Sequence, residues 1–114
     1  MIEKILKEFG ESPEMGCILL YIGRVKGVVG GKKVKVFRIR DISGIRDIEK
    51  EIREKYNLEG FKVYHREGDL KPGEDILMIG IGAKGRGEAI GALKEAIERI
   101  KVIHEAVKEE EFEE

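Results

Sequence analysis

Val63-Tyr64-His65-Arg66-Glu67-Gly68-Asp69-Leu70-Lys71-Pro72-Gly73-Glu74-Asp75-Ile76 is the stretch on which the fold class turns. Phe61, Val63 and His65 alternate with Lys62, Tyr64 and Arg66, the period of two that a half-buried strand requires. Lys71-Pro72-Gly73 is turn chemistry, since Pro fixes one backbone angle and Gly supplies the other. A second apolar run, Ile76 to Ile81, follows. Strands joined by so short a connection run antiparallel. The His65-Arg66 pair ends the first run, where two basic side chains held between strands can face an anion.

On either side the pattern changes period. Ile2, Ile5, Leu6 and Phe9 fall at helical spacing, and Gly10 stops that helix. Gly16 to Val25 reads as a mostly buried strand. Val34, Val36 and Ile39 read as another, with the alternation slipping near Phe37 and Gly27 to Lys33 as the hairpin connection. Ile45, Ile48, Ile52 and Tyr56 share one face of a helix that Asn57 and Gly60 terminate. The last helix places Ile90, Leu93, Ile97, Ile100, His104 and Val107 along one face. The order α, β hairpin, α, β, β, α with antiparallel neighbours is α+β rather than doubly wound. One domain over residues 1–108 is expected, with residues 109–114 an acidic, disordered tail.

Composition removes several functions. Lys+Arg 22 against Asp+Glu 23 leaves a net charge of -1, without the basic excess of a general nucleic-acid binder. No apolar run approaches the roughly 20 residues that span a membrane, so a cytoplasmic protein is expected. Cys17 is the only cysteine and lies in an apolar run, where it reads as a small buried hydrophobe in a reducing compartment. His65 and His104 are the only histidines and are not spaced for a metal site; no metal and no cofactor are expected.

Gly80-Ile81-Gly82-Ala83-Lys84-Gly85 spells G-x-G-x-x-G between a strand and a helix. A dinucleotide site needs a further parallel strand after that helix, and too few residues remain for one. Two readings stay open. The segment is either an anion site, with helix N–H groups beside Lys84 and Arg86, or a tight strand-to-helix turn with solvated basic residues. Gly27 to Lys33 has the wrong spacing for a phosphate-binding P-loop. Lys94, Lys101 and Lys108 recur every seven residues with Glu98 and Glu105 between them, the pattern of a solvated, salt-bridged helix face. These residues alone support a small α+β protein with a basic site for a phosphorylated ligand.

Three blocks resemble the family of large, catalytic subunits of molybdopterin synthase, over about Gly16 to Lys108. They are Gly16 to Lys26, a glycine and an apolar run ending in G-x-V-K; His65-Arg66-x-Gly68-x-Leu70-x-x-Gly73, the family's most specific motif; and two lysines, Lys101 and Lys108, seven apart near the end of the last helix. The resemblance implies an α/β hammerhead-like fold with antiparallel strands and a long C-terminal helix. It implies a sulfurtransferase that converts cyclic pyranopterin monophosphate into the molybdopterin dithiolene. The sulfur would come from a thiocarboxylate on the C-terminal Gly-Gly of a small ubiquitin-like carrier subunit. A homodimer of large subunits within a heterotetramer is implied as well.

By the same resemblance Lys101 and Lys108 are the catalytic residues. Lys101 would stand beside the incoming thiocarboxylate and Lys108 would hold the substrate phosphate or ring. Lys26, Arg86, Lys84, His65 and Arg66 are the substrate-binding candidates, Lys26 reaching from the other subunit and His65 and Arg66 supporting the pocket. Gly85 stands where the family has a histidine, and Lys26 where it has an arginine. The alternative reading is a non-catalytic homologue that binds the carrier or a phosphorylated ligand.

Overall fold

The computed structural model describes residues 2–114; Met1, the first position of the expected domain, lies outside the described residues. The elements run α1 (Ile2–Phe9), β1 (Cys17–Arg24), β2 (Val28–Val29), β3 (Lys32–Ile39), α2 (Ile45–Tyr56), β4 (Gly60–His65), β5 (Gly68–Leu70), β6 (Asp75–Ala83), α3 (Arg86–Val107) and β7 (Lys108–Phe112). The fold class is α+β, with every strand pair antiparallel.

β6 is the centre of the first sheet, ordered β1-β6-β4. Its register sets Phe61 against Ile81, Val63 against Ile79 and His65 against Leu77, so the two runs pair antiparallel as expected. The residues between those runs do more than turn. Gly68–Leu70 leaves the first sheet and pairs with β3 at Phe37–Ile39. The connection therefore ties the two sheets together.

The expected hairpin between the first two long strands does not form. β1 pairs with β6, and β3 pairs with β2, β5 and β7. The hairpin lies inside the supposed connection. Gly30 and Gly31 both take positive φ, 58° and 79°, so the chain reverses in two residues and sets Val28 against Lys33. Only such a turn matches the twist of the flanking strands, and glycine reaches it without steric cost. The slip near Phe37 corresponds to an irregular register between Val34 and Val36 on the β7 side.

Residues 108–114 correct a second expectation. Instead of a disordered tail, Lys108–Phe112 is a strand along β3, pairing Ile39 with Lys108 and Val34 with Phe112. Charge repulsion among the glutamates is offset by cations facing them across the ladder. Arg38 Nη2 donates to Glu111 at 2.7 Å, and Lys35 lies 3.7 Å from the same carboxylate.

The core lies between the first sheet and the two long helices. Ile52, Val63, Ile79, Ile81 and Ile100 are at most 1% exposed. The stripe on α3 is not the one expected. Ala89, Ala92 and Ala96 are buried beside Ile100, while Ile90 is 58% exposed. Small side chains bring the helix axis close to the sheet, so the seam is centred on alanines. Leu93, Ile97 and Val107 flank it, half-buried, and Cys17 also packs half-buried against the core.

Alternate residues of β6 face the opposite side, where α1 lies. Gly60 and Gly82 are register partners, with Gly80 two residues along. A Cβ on Gly80 would lie 2.6 Å from Ile5 Cγ2, and one on Gly60 would lie 2.7 Å from Phe9 Cδ1. A Cβ on Gly82 would meet Met15 Sδ at 2.9 Å. Side by side, these glycines form a trough that admits α1, which explains the G-x-G at the end of β6.

α2 also closes an edge. β4 has β6 on one side only. On the other, the Val63 N–H donates to Glu49 Oε2 at 2.9 Å, and Arg46 Nη2 donates to the Val63 carbonyl at 3.1 Å. Arg53 does the same to the Glu59 carbonyl at 3.2 Å. Side chains thus occupy groups that another strand would use. Among the described residues no helix is long and apolar enough to cross a membrane.

Candidate active site

α3 runs back along the first sheet, so its last turns return to the end where β1 finishes and β6 begins. β7 then leaves for the second sheet. The angle between these parts leaves a cleft of about 410 Å³. Tyr21, Val25, Phe37 and Ile97 give it apolar walls, while Lys26, Lys101, Lys108 and His104 bring polar groups to it. Larger hollows of about 520 Å³ beside Arg53 and about 440 Å³ beside Gly44 contain none of the three lysines.

The lysines differ in their surroundings. Lys101 is exposed and, among the described residues, has no ion-pair partner, and the same holds for Lys26. Lys108 is held. Its Nζ lies 3.0 Å from both Glu105 Oε1 and Glu110 Oε1, and these bonds, Glu110's first, raise its pKa above the usual lysine range. The seven-residue spacing does not put Lys108 on the helix face, as the pattern suggested. The helix ends at Val107, and Lys108 is extended at φ -86° and ψ 151°.

The remaining candidates divide. Lys26 lines the cleft of its own chain. Lys84 lies 4.0 Å from Glu59 at the far end of β6. Arg86 opens α3, fifteen residues before Lys101, or about 22 Å of helical rise away. Neither joins the cleft within one chain. Arg66 Nη1 donates to the Asp75 carbonyl at 3.2 Å, and Nη2 lies 3.5 Å from Glu74, so this arginine ties the turn between β5 and β6 to its base.

His65 meets a residue that the periodic pattern left on the helix. Its ring stands edge to face with His104, centroids 4.5 Å apart and planes at 87°. The Nε2 atoms of the two rings are in contact. Burial lowers the pKa of His65. For His104 burial, then His65, then Lys108 bring it down to about 4. Both rings are neutral at neutral pH. Nothing in the sequence pairs residues 39 positions apart; only the pairing of β4 with β6, and of β6 with α3, brings them together.

A largely apolar slot with two unpaired ammoniums, a braced ammonium and a neutral imidazole suits an anionic ligand with a flat or acyl portion. These features define a small α+β protein with a basic cleft. The chain is a member of the MoaE protein family, which it matches over residues 1–103. It is 32% identical to the molybdopterin synthase catalytic subunit of Sclerotinia sclerotiorum, over 96% of this chain and 58% of that protein. It is likewise 32% identical to the molybdopterin synthase catalytic subunit of Bacillus subtilis, over 89% of this chain and 67% of the relative. The fold is shared with molybdopterin synthase from Staphylococcus aureus at a TM-score of 0.76 and 26% identity, over 94% of this chain and 82% of that one. The chain spans somewhat over half the length of several of its fungal relatives. Lys101 falls inside the family match and Lys108 beyond it.

Proposed function

We propose that this protein is the catalytic subunit of a molybdopterin synthase, passing sulfur from a thiocarboxylated small carrier to cyclic pyranopterin monophosphate. The observation that carries the reading is Lys101, an unpaired cation over an apolar cleft in a chain of this family. A carrier tail ending in Gly-Gly is thin enough to enter a slot of about 410 Å³ beside a flat ring. Negative charge develops on the acyl oxygen as its carbon is attacked, and an ammonium already in place stabilises it without reorganisation. Lys108, fixed by Glu105 and Glu110, is suited to hold the substrate phosphate at one position. Lys26 adds a third positive charge to the lining. Lys84 and Arg86 would serve a cleft only from a second copy, in keeping with a homodimer inside a heterotetramer. The setting is cytoplasmic.

Purified protein, thiocarboxylated carrier and the cyclic precursor should yield molybdopterin, and Lys101→Ala should abolish it. A stable complex with the carrier and no product would instead favour a binding homologue, a reading that Gly85 and Lys26, in place of the family's histidine and arginine, keep in view.

A further inference from the structure

The contacts of the two histidines fix where their protons lie. His65 Nδ1 is 2.7 Å from the carbonyl oxygen of Arg66. A carbonyl oxygen only accepts, so His65 Nδ1 carries the proton and His65 Nε2 is a lone pair. The proton shared between the rings therefore belongs to His104 Nε2. His104 Nδ1 is left bare. It has no hydrogen-bond partner among the described residues and is not a buried orphan, so solvent reaches it, and His104 lines the cleft.

We propose that His104 Nδ1 is the proton acceptor of the Lys101–Lys108 cleft, and that His65 is the positioning residue that fixes its tautomer. The inference rests on the synthase reading. Taking sulfur from a thiocarboxylate and leaving a carboxylate requires an oxygen from water. With the sulfur already bonded to the pterin as a carrier–substrate thioester, the water oxygen bonds to the acyl carbon, and the acyl carbon–sulfur bond breaks with its electron pair going to the sulfur, which stays on the pterin as a thiolate. One water proton passes to His104, and the other leaves as the new carboxylic acid ionises.

The groups facing the pair favour this role. His65 comes from β4, Glu105 from the helix, and Lys108 from the strand after it; Lys101 and Glu110 complete the polar wall, and Glu67 faces His65. Burial, then His65, then Lys108 keep His104 unprotonated with a pKa of about 4. An anionic substrate that pairs with Lys108 cancels part of that depression, so basicity rises when the cleft is filled.

The test combines long-range ¹H–¹⁵N spectra of labelled protein with rate–pH profiles of the reconstituted synthase. The spectra should show His104 protonated at Nε2 and His65 at Nδ1. His104→Gln should lower kcat by about 100-fold or more with KM little changed, as loss of a general base does. His65→Phe should lower kcat and move the acid limb of the profile upward, because the neighbour that depresses His104 is gone. His65→Gln offers an amide oxygen near the place of Nε2 and should restore much of the rate lost in the phenylalanine variant. A His104 protonated at Nδ1 overturns the inference. So does a His104→Gln variant with the wild-type rate and profile. Wild-type protein that binds carrier and makes no product overturns the synthase reading, and this role with it.

Discussion

Arg38 on β3 and Glu111 on β7 form a hydrogen-bonded ion pair at 2.7 Å, across 73 positions of sequence. Asp69 of β5 approaches the same guanidinium at 3.5 Å from the other side of the strand. One arginine thus links three strands of the second sheet and anchors the end of the chain.

Amide hydrogen exchange should therefore find Glu109 to Phe112 protected, within the range of the sheet and not of a free tail. Deleting residues 109–114 should lower the melting temperature and free the Lys108 ammonium from Glu110. Free-coil exchange rates at these amides would contradict the strand.

Gly80→Ala should destabilise the protein by about 1–3 kcal/mol in urea denaturation, because its methyl would meet Ile5 Cγ2 at 2.6 Å in a packed trough. Ile5→Ala should cost less in the Gly80→Ala background than in the wild type, since the added methyl takes up space that the isoleucine leaves. Strictly additive losses would show that the trough does not seat α1.

Lys101 and Lys108 should separate by stability. Lys101→Ala removes an exposed, unpaired cation and should leave folding unchanged within about 0.5 kcal/mol. Its rate should fall by about 100-fold or more, the scale of a lost oxyanion donor. Lys108→Ala should reduce the rate as well and cost up to ~1 kcal/mol of stability through its two glutamates. Thermal melts beside rate measurements decide between them.

Acid should weaken the fold earlier than its carboxylates alone predict. His104 titrates near 6.5 when unfolded and at about 4 when folded, so between those values the unfolded chain binds more protons. Stability is complete above pH 6.5 and falls progressively as pH drops toward 4. Asp69, Glu95 and Glu111 are also depressed and add their losses at lower pH. His104→Gln should flatten the upper part of the curve in denaturant midpoints measured from pH 7 to 4.

The elements visible in the sequence were those whose period reports directly on burial. Phe61–His65, Ile76–Ile81 and the α2 face of Ile45, Ile48 and Ile52 behave as their spacing requires. Of the residues quoted from the family blocks, Lys26, Lys101 and Lys108 line one cleft, and His65 touches His104 beside it. Partnership was hidden. Gly30-Gly31 looked like a slack loop, although two glycines suffice to reverse a strand and send β1 to another sheet. The acidic run looked disordered because its neutralising charges, Lys35 and Arg38, lie some seventy positions earlier. The histidine pair left no periodic trace, since neither residue's own element specifies the other.

The first sheet is asymmetric at its borders. Glu49 and Arg46 occupy the outer N–H and carbonyl of Val63 on β4, and Arg53 the carbonyl of Glu59 just before it, whereas β1 has no strand beyond it among the described residues and shows Ile18 and Ile22 at its surface. A sheet with two open borders can add copies without end, and one with a single open border can add only one. α2 thus sets a one-sided limit on this sheet: a strand from another molecule finds backbone groups free along β1, and finds those of Val63 on β4 already taken.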